Sequence, residues 1–359
     1  MRLGEKAGLK PAKRLREVFG DALLDLCRQN EKVVVLDGDL CSTTKTLHVR
    51  REFPERFFNI GIAESNMVSI GAGLASCGLI PFITSLSSFV LANGYDQLRV
   101  SVAVASVNAK VVGSHGGITL GKDGPTAMAI EDLALVGCLP TFVILVPCDP
   151  ASMHKAVHAA AEYVGPVYLR SSRASMPHIY PEDDCPFEIG KANVVRQGSD
   201  LTIIGCGLLV AAALDAAAML AEEGIEARVL DMHTLRPMDT EAIAAAAWET
   251  GAIVTAEEHL LHGGMGSNIA RFVAQIHPVP MRFVGLADTY TDSGKAEDLL
   301  EKYGLTAQDI VVAARQAVAA KAGNVRRDGS LTLHPPLFPP HWGDERGGGG
   351  VDLCYIKIC

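Results

Sequence analysis

The chain of 359 residues is 48% hydrophobic and 20% charged, enough apolar content to bury the cores of two globular domains. Its 32 Lys+Arg against 41 Asp+Glu give a net charge of −9, which excludes a general basic surface for nucleic acid and confines any anion site to a local pocket. Nine Cys, none in a C-x-x-C pair and none clustered with His at ligand spacing, read as reduced thiols of a cytosolic protein and exclude a disulfide framework and a zinc site.

The N-terminal stretch has no apolar secretory core, and Glu5, Glu17 and Asp21 speak against a transit peptide. Leu15, Val18, Phe19, Ala22, Leu23 and Leu26 recur at helical spacing and predict a first amphipathic helix. A β-branched strand follows at 32–36 and stops at Asp37-Gly38-Asp39. The pattern then alternates: strand 57–61, helix 64–76, strand 80–85, helix 89–105, strand 110–114, a Gly-rich loop, helix 127–137, strand 142–146, helix 150–162 and strand 167–170. Residues 67–95 carry no charge and are long enough to cross a bilayer, but Gly71, Gly73, Gly78 and Pro81 break the run into a buried helix, strand and helix. No membrane span is expected.

Residues 177–186 are rich in Pro and acid and read as a linker. A second series has strands at 201–205, 227–232, 252–256 and 281–284 with Ala-rich helices between them. Strands separated by helices imply parallel sheets covered on both faces. The fold class is therefore α/β, with two consecutive three-layer α/β/α domains at 1–180 and 188–322 and mostly parallel sheets. Paired prolines and a four-Gly run make 323–359 an irregular, disordered tail.

In such sheets reactive groups gather at the C-terminal ends of strands and at the helix N-termini that follow. Three clusters fall there: Asp37-Gly38-Asp39 with Thr43 and Thr44; Asn59 to Asn66, in which Glu64 opens an apolar helix; and Ser114-His115-Gly116-Gly117 running on to Gly121-Lys122-Asp123-Gly124-Pro125-Thr126. Arg170 and Arg173 close the last strand. Glu64 is either a plain helix-dipole partner, worth ~0.3–1 kcal/mol, or a proton-holding acid whose pKa is raised by Ile60, Ile62, Met67, Val68 and Ile70 around it. Asp39 suits a turn as well as a site, and His115 suits a plain loop. The Gly-rich loop around His115 is longer than a connection needs and lets backbone approach a ligand. Asp37-Gly38-Asp39 lacks the continuation of a magnesium-diphosphate motif, so no metal ligand is assigned to this chain.

Together, Ile60-Gly-Ile-Ala-Glu64-Ser-Asn-Met67, Ser114-His115-Gly-Gly-Ile, Gly121-Lys-Asp123-Gly-Pro-Thr126 and Glu131-Asp132-Leu133 resemble the pyrimidine-binding domain of transketolase, over about Leu15 to Ser172. Asp200 to Val318, with Glu257-Glu-His259 and Gly263-Gly-Met-Gly-Ser267, resemble the family's C-terminal domain, while its diphosphate-binding domain is absent. The resemblance implies the C-terminal subunit of a two-chain, thiamine-diphosphate-dependent transketolase of carbohydrate (pentose phosphate) metabolism. It would be a cytoplasmic transferase that moves a two-carbon ketol unit between sugar phosphates and is active only with a partner. That partner would be an N-terminal subunit holding the diphosphate and Mg2+, in a heterotetramer of two heterodimers. Glu64 would bond the aminopyrimidine ring, Asp39 would lie near the thiazolium, and Phe89 and Leu86 would pack on the pyrimidine, Leu86 standing where relatives carry an aromatic. Asp123 would contact a donor hydroxyl, and Arg16, Thr43, His115 and Arg173 would grip the sugar phosphate. The beta subunit of 2-oxo-acid dehydrogenases, deoxyxylulose-phosphate synthase and a non-catalytic binding subunit remain competing readings. The first is not expected to show the Asp-Gly-Pro-Thr block, and the second usually has Arg in place of His115.

Overall fold

A computed structural model describes residues 3–181 and 185–324. The first segment runs β1 (Pro11–Arg14), α1 (Leu15–Gln29), β2 (Val33–Asp37), α2 (Cys41–Thr44), α3 (Leu47–Glu52), β3 (Phe57–Asn59), α4 (Glu64–Ser76), β4 (Ile80–Leu86) and α5 (Ser87–Gln97). It continues with β5 (Lys110–Ser114), α6 (Asp132–Gly137), β6 (Val143–Leu145), α7 (Pro150–Glu162), β7 (Val167–Arg170) and β8 (Ser175–Pro177). The second segment has β9 (Asn193–Arg196), β10 (Leu201–Gly205), α8 (Leu209–Ala221), β11 (Ala227–Asp231), β12 (Thr234–Arg236) and α9 (Thr240–Ala245). It ends with β13 (Ile253–Leu260), α10 (Met265–Ile276), β14 (Met281–Leu286), α11 (Ala296–Lys302) and α12 (Ala307–Asn324).

A seven-stranded sheet has the order β12-β6-β7-β5-β4-β2-β3, and a five-stranded sheet the order β14-β13-β10-β11-β9. Both are parallel except at one edge, where β12 and β9 run antiparallel to their neighbours. Every residue of β2 is buried, as a central parallel strand covered on both faces requires. Val33 and Val35 enter the core cluster on one face, Val34 and Leu36 that on the other. Both α/β units are thus covered by helices on both sides.

The strongly patterned elements lie where the sequence places them, and the run 67–95 is α4, β4 and α5. No helix among the described residues is long and apolar enough to cross a membrane. Two expected helices need correction. The one expected over 89–105 is α-helical only to Gln97 and continues as a wider π-type turn over Leu98–Val104. That expected over 127–137 begins only at Asp132. Residues Ala127 to Ile130 are buried but non-helical, because the carbonyls of Ala129 and Ile130 accept from Gly117 and Leu260 on neighbouring segments.

The short strands β1, β8, β9 and β12 carry no signal in the sequence. Of these β12 matters most, since it comes from the second segment yet forms the edge of the first sheet. The described part of the linker is tied down as well. Asp149 accepts from the amides of Ile179 and Tyr180 at 2.9 Å, and the Tyr180 hydroxyl donates to buried Asp231 at 2.7 Å. Helix α12 reaches Asn324, and the rest of the expected tail, 325–359, lies outside the described residues. Cys27, Cys41, Cys77, Cys138, Cys148 and Cys206 form no disulfide.

Candidate active site

The site builds up at the C-terminal edge of the seven-stranded sheet, where β2, β4, β5 and β7 all end. Strand β2 closes on Asp37, which is fully buried and to which the sequence assigns no role of its own. Its carboxylate accepts from the Leu40 amide at 2.6 Å and from the hydroxyls of Thr44, Thr46 and Thr84 at 2.9, 2.8 and 3.1 Å. This fixes the loop in which Asp39 adopts a φ of 65°, exposed, with its carboxylate accepting from Asn59 at 2.8 Å. Turn chemistry therefore explains the Asp39 backbone, while its side chain stays on the open side of the loop.

Glu64 is the first residue of α4 and only 3% exposed. Its surroundings are not the apolar shell that its sequence neighbours imply, because Ile62 and Ile70 turn outward, at 84% and 37% exposure. The carboxylate instead faces the end of β4 and helix α5, with Ser85 Oγ at 3.4 Å and Asn93 Nδ2 at 3.3 Å. Both contacts are long, so the carboxylate keeps acceptor capacity for another donor. Gly38 keeps the space beside it open: a Cβ there would lie 3.3 Å from Ser85 Oγ and 3.8 Å from Glu64 Oε1. Leu86 ends β4, buried, and half-buried Phe89 lies one turn before Asn93 on the same face of α5. A buried carboxylate, a small opening and two apolar side chains fit a flat amino-substituted heterocycle such as the aminopyrimidine of thiamine diphosphate. Among the described residues no group of three His, Cys, Asp or Glu is disposed to hold a metal ion.

The second cluster hangs on β5. His115 is 2% exposed, has a φ of 62° and sets its Nδ1 2.6 Å from Ser114 Oγ. Burial, with the charges of Arg16 and Arg173 added, pushes its imidazole down to about 4, so it is neutral at pH 7. Arg16 opens α1 beside Arg14, against the helix dipole, and its buried Nε has no partner. Burial, Arg14 and Arg173 lower its pKa, with Glu17 opposing. Arg173 donates to the Leu120 carbonyl at 2.6 Å and to the exposed Asp123 carboxylate at 3.0 Å. The charges of Arg16 and Arg173 thus both act on His115, and Asp123 is paired with Arg173, so these four residues share one neighbourhood. Thr43 lies on α2 with its amide on the Leu40 carbonyl, and no hydrogen bond joins it to the other four.

Arg170, beside Arg173 in the chain, is not available to a ligand. It is buried and spends its donors on Asp132 at 2.7 Å and on the carbonyls of Ala129 and Glu258 at 3.1 and 3.0 Å. Sequence reasoning gives no role to Ser85 and Asn93, whose types carry no signal without the fold, nor to Glu258, which is visible only as part of Glu257-Glu-His259.

The family model of the transketolase pyrimidine-binding domain matches residues 12–178, and that of the transketolase C-terminal domain matches 190–310. The chain is 40% identical to the 6-deoxy-6-sulfo-D-fructose transketolase subunit SqwH of Clostridium sp. (strain MSTE9), over 86% of this chain and 95% of that one. It is 38% identical to a subunit of the apulose-4-phosphate transketolase of Phocaeicola vulgatus, over 84% and 97%. Among solved structures, a split gene transketolase described as an inactive beta4 tetramer superposes with a TM-score of 0.81 at 42% identity, covering 86% of this chain and all of that one. The transketolase of Campylobacter jejuni shares the fold, with a TM-score of 0.71 at 22% identity, and this chain spans 45% of its length. The chain belongs to the transketolase family, of which it carries the pyrimidine-binding and C-terminal domains.

Proposed function

We propose that this chain is the C-terminal subunit of a two-chain, cytoplasmic transketolase that moves a two-carbon ketol unit between sugar phosphates. Its partner would be an N-terminal subunit that binds the diphosphate of thiamine diphosphate and Mg2+, and the assembly would be a dimer of heterodimers. The observation that carries the reading is Glu64, a buried carboxylate with spare acceptor capacity, set beside Gly38, Leu86 and Phe89. Relatives of nearly equal length named as transketolase subunits support the division into two chains, and the split-gene relative that is inactive as a beta4 tetramer supports the need for a partner.

When bound, thiamine diphosphate supplies the electron sink for cleaving the carbon–carbon bond beside a ketose carbonyl. The residues of this chain prepare the two ends of the reaction space. Glu64 holds a proton against a pyrimidine ring nitrogen, with Ser85 and Asn93 steering its carboxyl group. Leu86 and Phe89 would keep water from that ring, and Asp39 would lie near the thiazolium. Asp123 receives a donor hydroxyl, while Arg16, Arg173 and neutral His115, with Thr43 from α2, hold the phosphate. Arg presents parallel donors to phosphate oxygens, and two of them offset the charge that an acidic protein otherwise opposes.

The test is Glu64→Gln in the assembled enzyme. Gln keeps the shape and an acceptor but cannot hold the exchangeable proton, so turnover should fall by orders of magnitude while cofactor affinity changes much less. Retention of more than about a tenth of wild-type turnover, under ~1.4 kcal/mol of barrier, would reduce Glu64 to a structural residue. Ketol transfer by the purified chain with thiamine diphosphate and Mg2+ alone would remove the need for a partner.

A further inference from the structure

Glu257 and Glu258 are consecutive on β13, so their side chains leave opposite faces of the strand. Glu257 turns into its own segment, where its carboxylate accepts from the Met265 and Gly266 amides at the start of α10, at 2.6 and 2.8 Å. Glu258 turns the other way, into the first segment, and is 2% exposed. Its Oε1 accepts from the Thr119 amide at 2.6 Å. The loop lies directly on the carboxylate: a Cβ at Gly117, whose φ is 87°, would fall 2.2–2.5 Å from the Glu258 carboxylate atoms. Thr119 sits between His115 and Asp123 in the chain, and its hydroxyl meets Ser172 Oγ at 3.1 Å, next to Arg173. One carboxylate thus supports the loop from which His115 and Asp123 project and which meets Ser172 beside Arg173.

We propose that Glu258 is a positioning residue for substrate, acting from the second segment through Thr119 on His115, Asp123 and Arg173. This rests on the reading of the pocket as the sugar-phosphate site. No group on the loop itself can replace it, since the Thr119 amide would otherwise be a buried donor without an acceptor. The charged groups facing Glu258 are Arg170 from β7 and Asp132 from α6. Arg170 only donates, so it cannot accept from the Thr119 amide, and the Asp132 carboxylate is engaged by Arg170. Burial pushes the Glu258 carboxyl up to about 7, with Arg170 and the Thr119 bonds pulling it down. The loop contact needs only one accepting oxygen, which a neutral carboxyl or a Gln side chain also provides.

The test has one arm on the full chain alone and one on the assembled enzyme. In the chain alone, with 13C-labelled histidine, NMR titration follows His115 and, as an internal control, His233, which burial in the second segment also pushes down to about 4. In Glu258→Ala the released loop lets His115 titrate at least one pH unit higher while His233 stays where it was; Glu258→Gln leaves both low. A His115 titration unmoved in Glu258→Ala, or one that moves together with His233, would overturn the proposal. In the assembled enzyme Glu258→Ala raises KM for a phosphorylated ketose at least tenfold, leaves thiamine diphosphate affinity within twofold, and is rescued by Glu258→Gln. Loss of cofactor affinity in parallel with the KM change would overturn it. If the wild-type assembly transfers no ketol unit, the functional reading fails, and the titration arm still decides whether Glu258 positions the loop.

Discussion

At neutral pH His115 is an uncharged imidazole beside two cations, held in a left-handed backbone conformation that costs a non-glycine residue ~1–2 kcal/mol. Its folded pKa of about 4 lies below the ordinary value of 6.5, so its stabilising share is complete above pH 6.5 and is lost as the pH falls through 4. Glu258 and Asp231, both raised to about 7 by burial, have the opposite sign: their share is complete below the ordinary carboxyl range and is lost as the pH rises through 7. His115→Asn tolerates the backbone and removes only the first contribution. The wild-type stability relative to this variant should therefore fall by about 3 kcal/mol between pH 7 and pH 4, read from urea midpoints. Parallel pH curves would mean that His115 is not buried as described. Arg173→Ala should raise KM for a phosphorylated ketose ten- to more than hundredfold, the worth of one charge-assisted contact at ~1.5–3 kcal/mol. Hydroxypyruvate, which has no phosphate, loses only what the exposed Arg173–Asp123 pair contributes, under ~1 kcal/mol. Equal losses for both donors would speak against a phosphate pocket. Glu64, His115 and Asp123 stand out in the sequence because each sits in a spaced motif, and Arg173 because it follows the last strand of its unit. Ser85, Asn93 and Thr119 do not, because a hydroxyl or amide acquires a role only when the fold brings it to a carboxylate.

Elements with a clear period announce themselves: helix 64–76, strand 110–114, helix 150–162, strand 167–170 and strand 201–205 have the bounds that their apolar spacing implies. Helix α7 adds its own start signal, since Asp149 caps the Ser152 amide at 2.8 Å and Pro150 follows as the first helical residue. The three-residue strands β8 and β12 are too short to show any period. The stretch 127–131 fails for another reason, because a buried apolar run satisfies helical spacing whether or not its amides turn back on themselves. Asp37 shows what an element end can hold. Four donors converge on it, one of them from the loop that presents Asp39. Asp37→Ala removes the acceptor of the Leu40 amide and the Thr46 hydroxyl, while Thr44 and Thr84 keep the carbonyls of Leu40 and Leu36; it should destabilise the chain by roughly 3 kcal/mol, with a lower urea midpoint. A variant within ~0.5 kcal/mol of wild type would show that water replaces the carboxylate.

For the whole molecule, two α/β units are legible from the alternation of strands and helices, but not how they join. Strand β12 leaves the second segment to pair with β6, placing Thr234 opposite Leu145 and Arg236 opposite Ile144. Arg236 adds bonds to the carbonyls of Leu139, at 2.5 Å, and Gly137. Residues 1–187 produced alone would bare the edge of β6 together with the loop that Glu258 supports, and an open edge invites pairing with other chains. That fragment should aggregate and become soluble when co-produced with residues 188–359, as measured by sedimentation. A monodisperse fragment with a cooperative melt would make β12 dispensable.

The borrowed edge strand also bears on motion. A linker of Pro and acidic residues looks like a hinge, and hinge closure is a common way for two-unit enzymes to admit substrate. Here any swing of one unit against the other has to shear β12 from β6, break the two Arg236 bonds and pull Tyr180 from Asp231. These contacts therefore oppose a hinge motion between the two units.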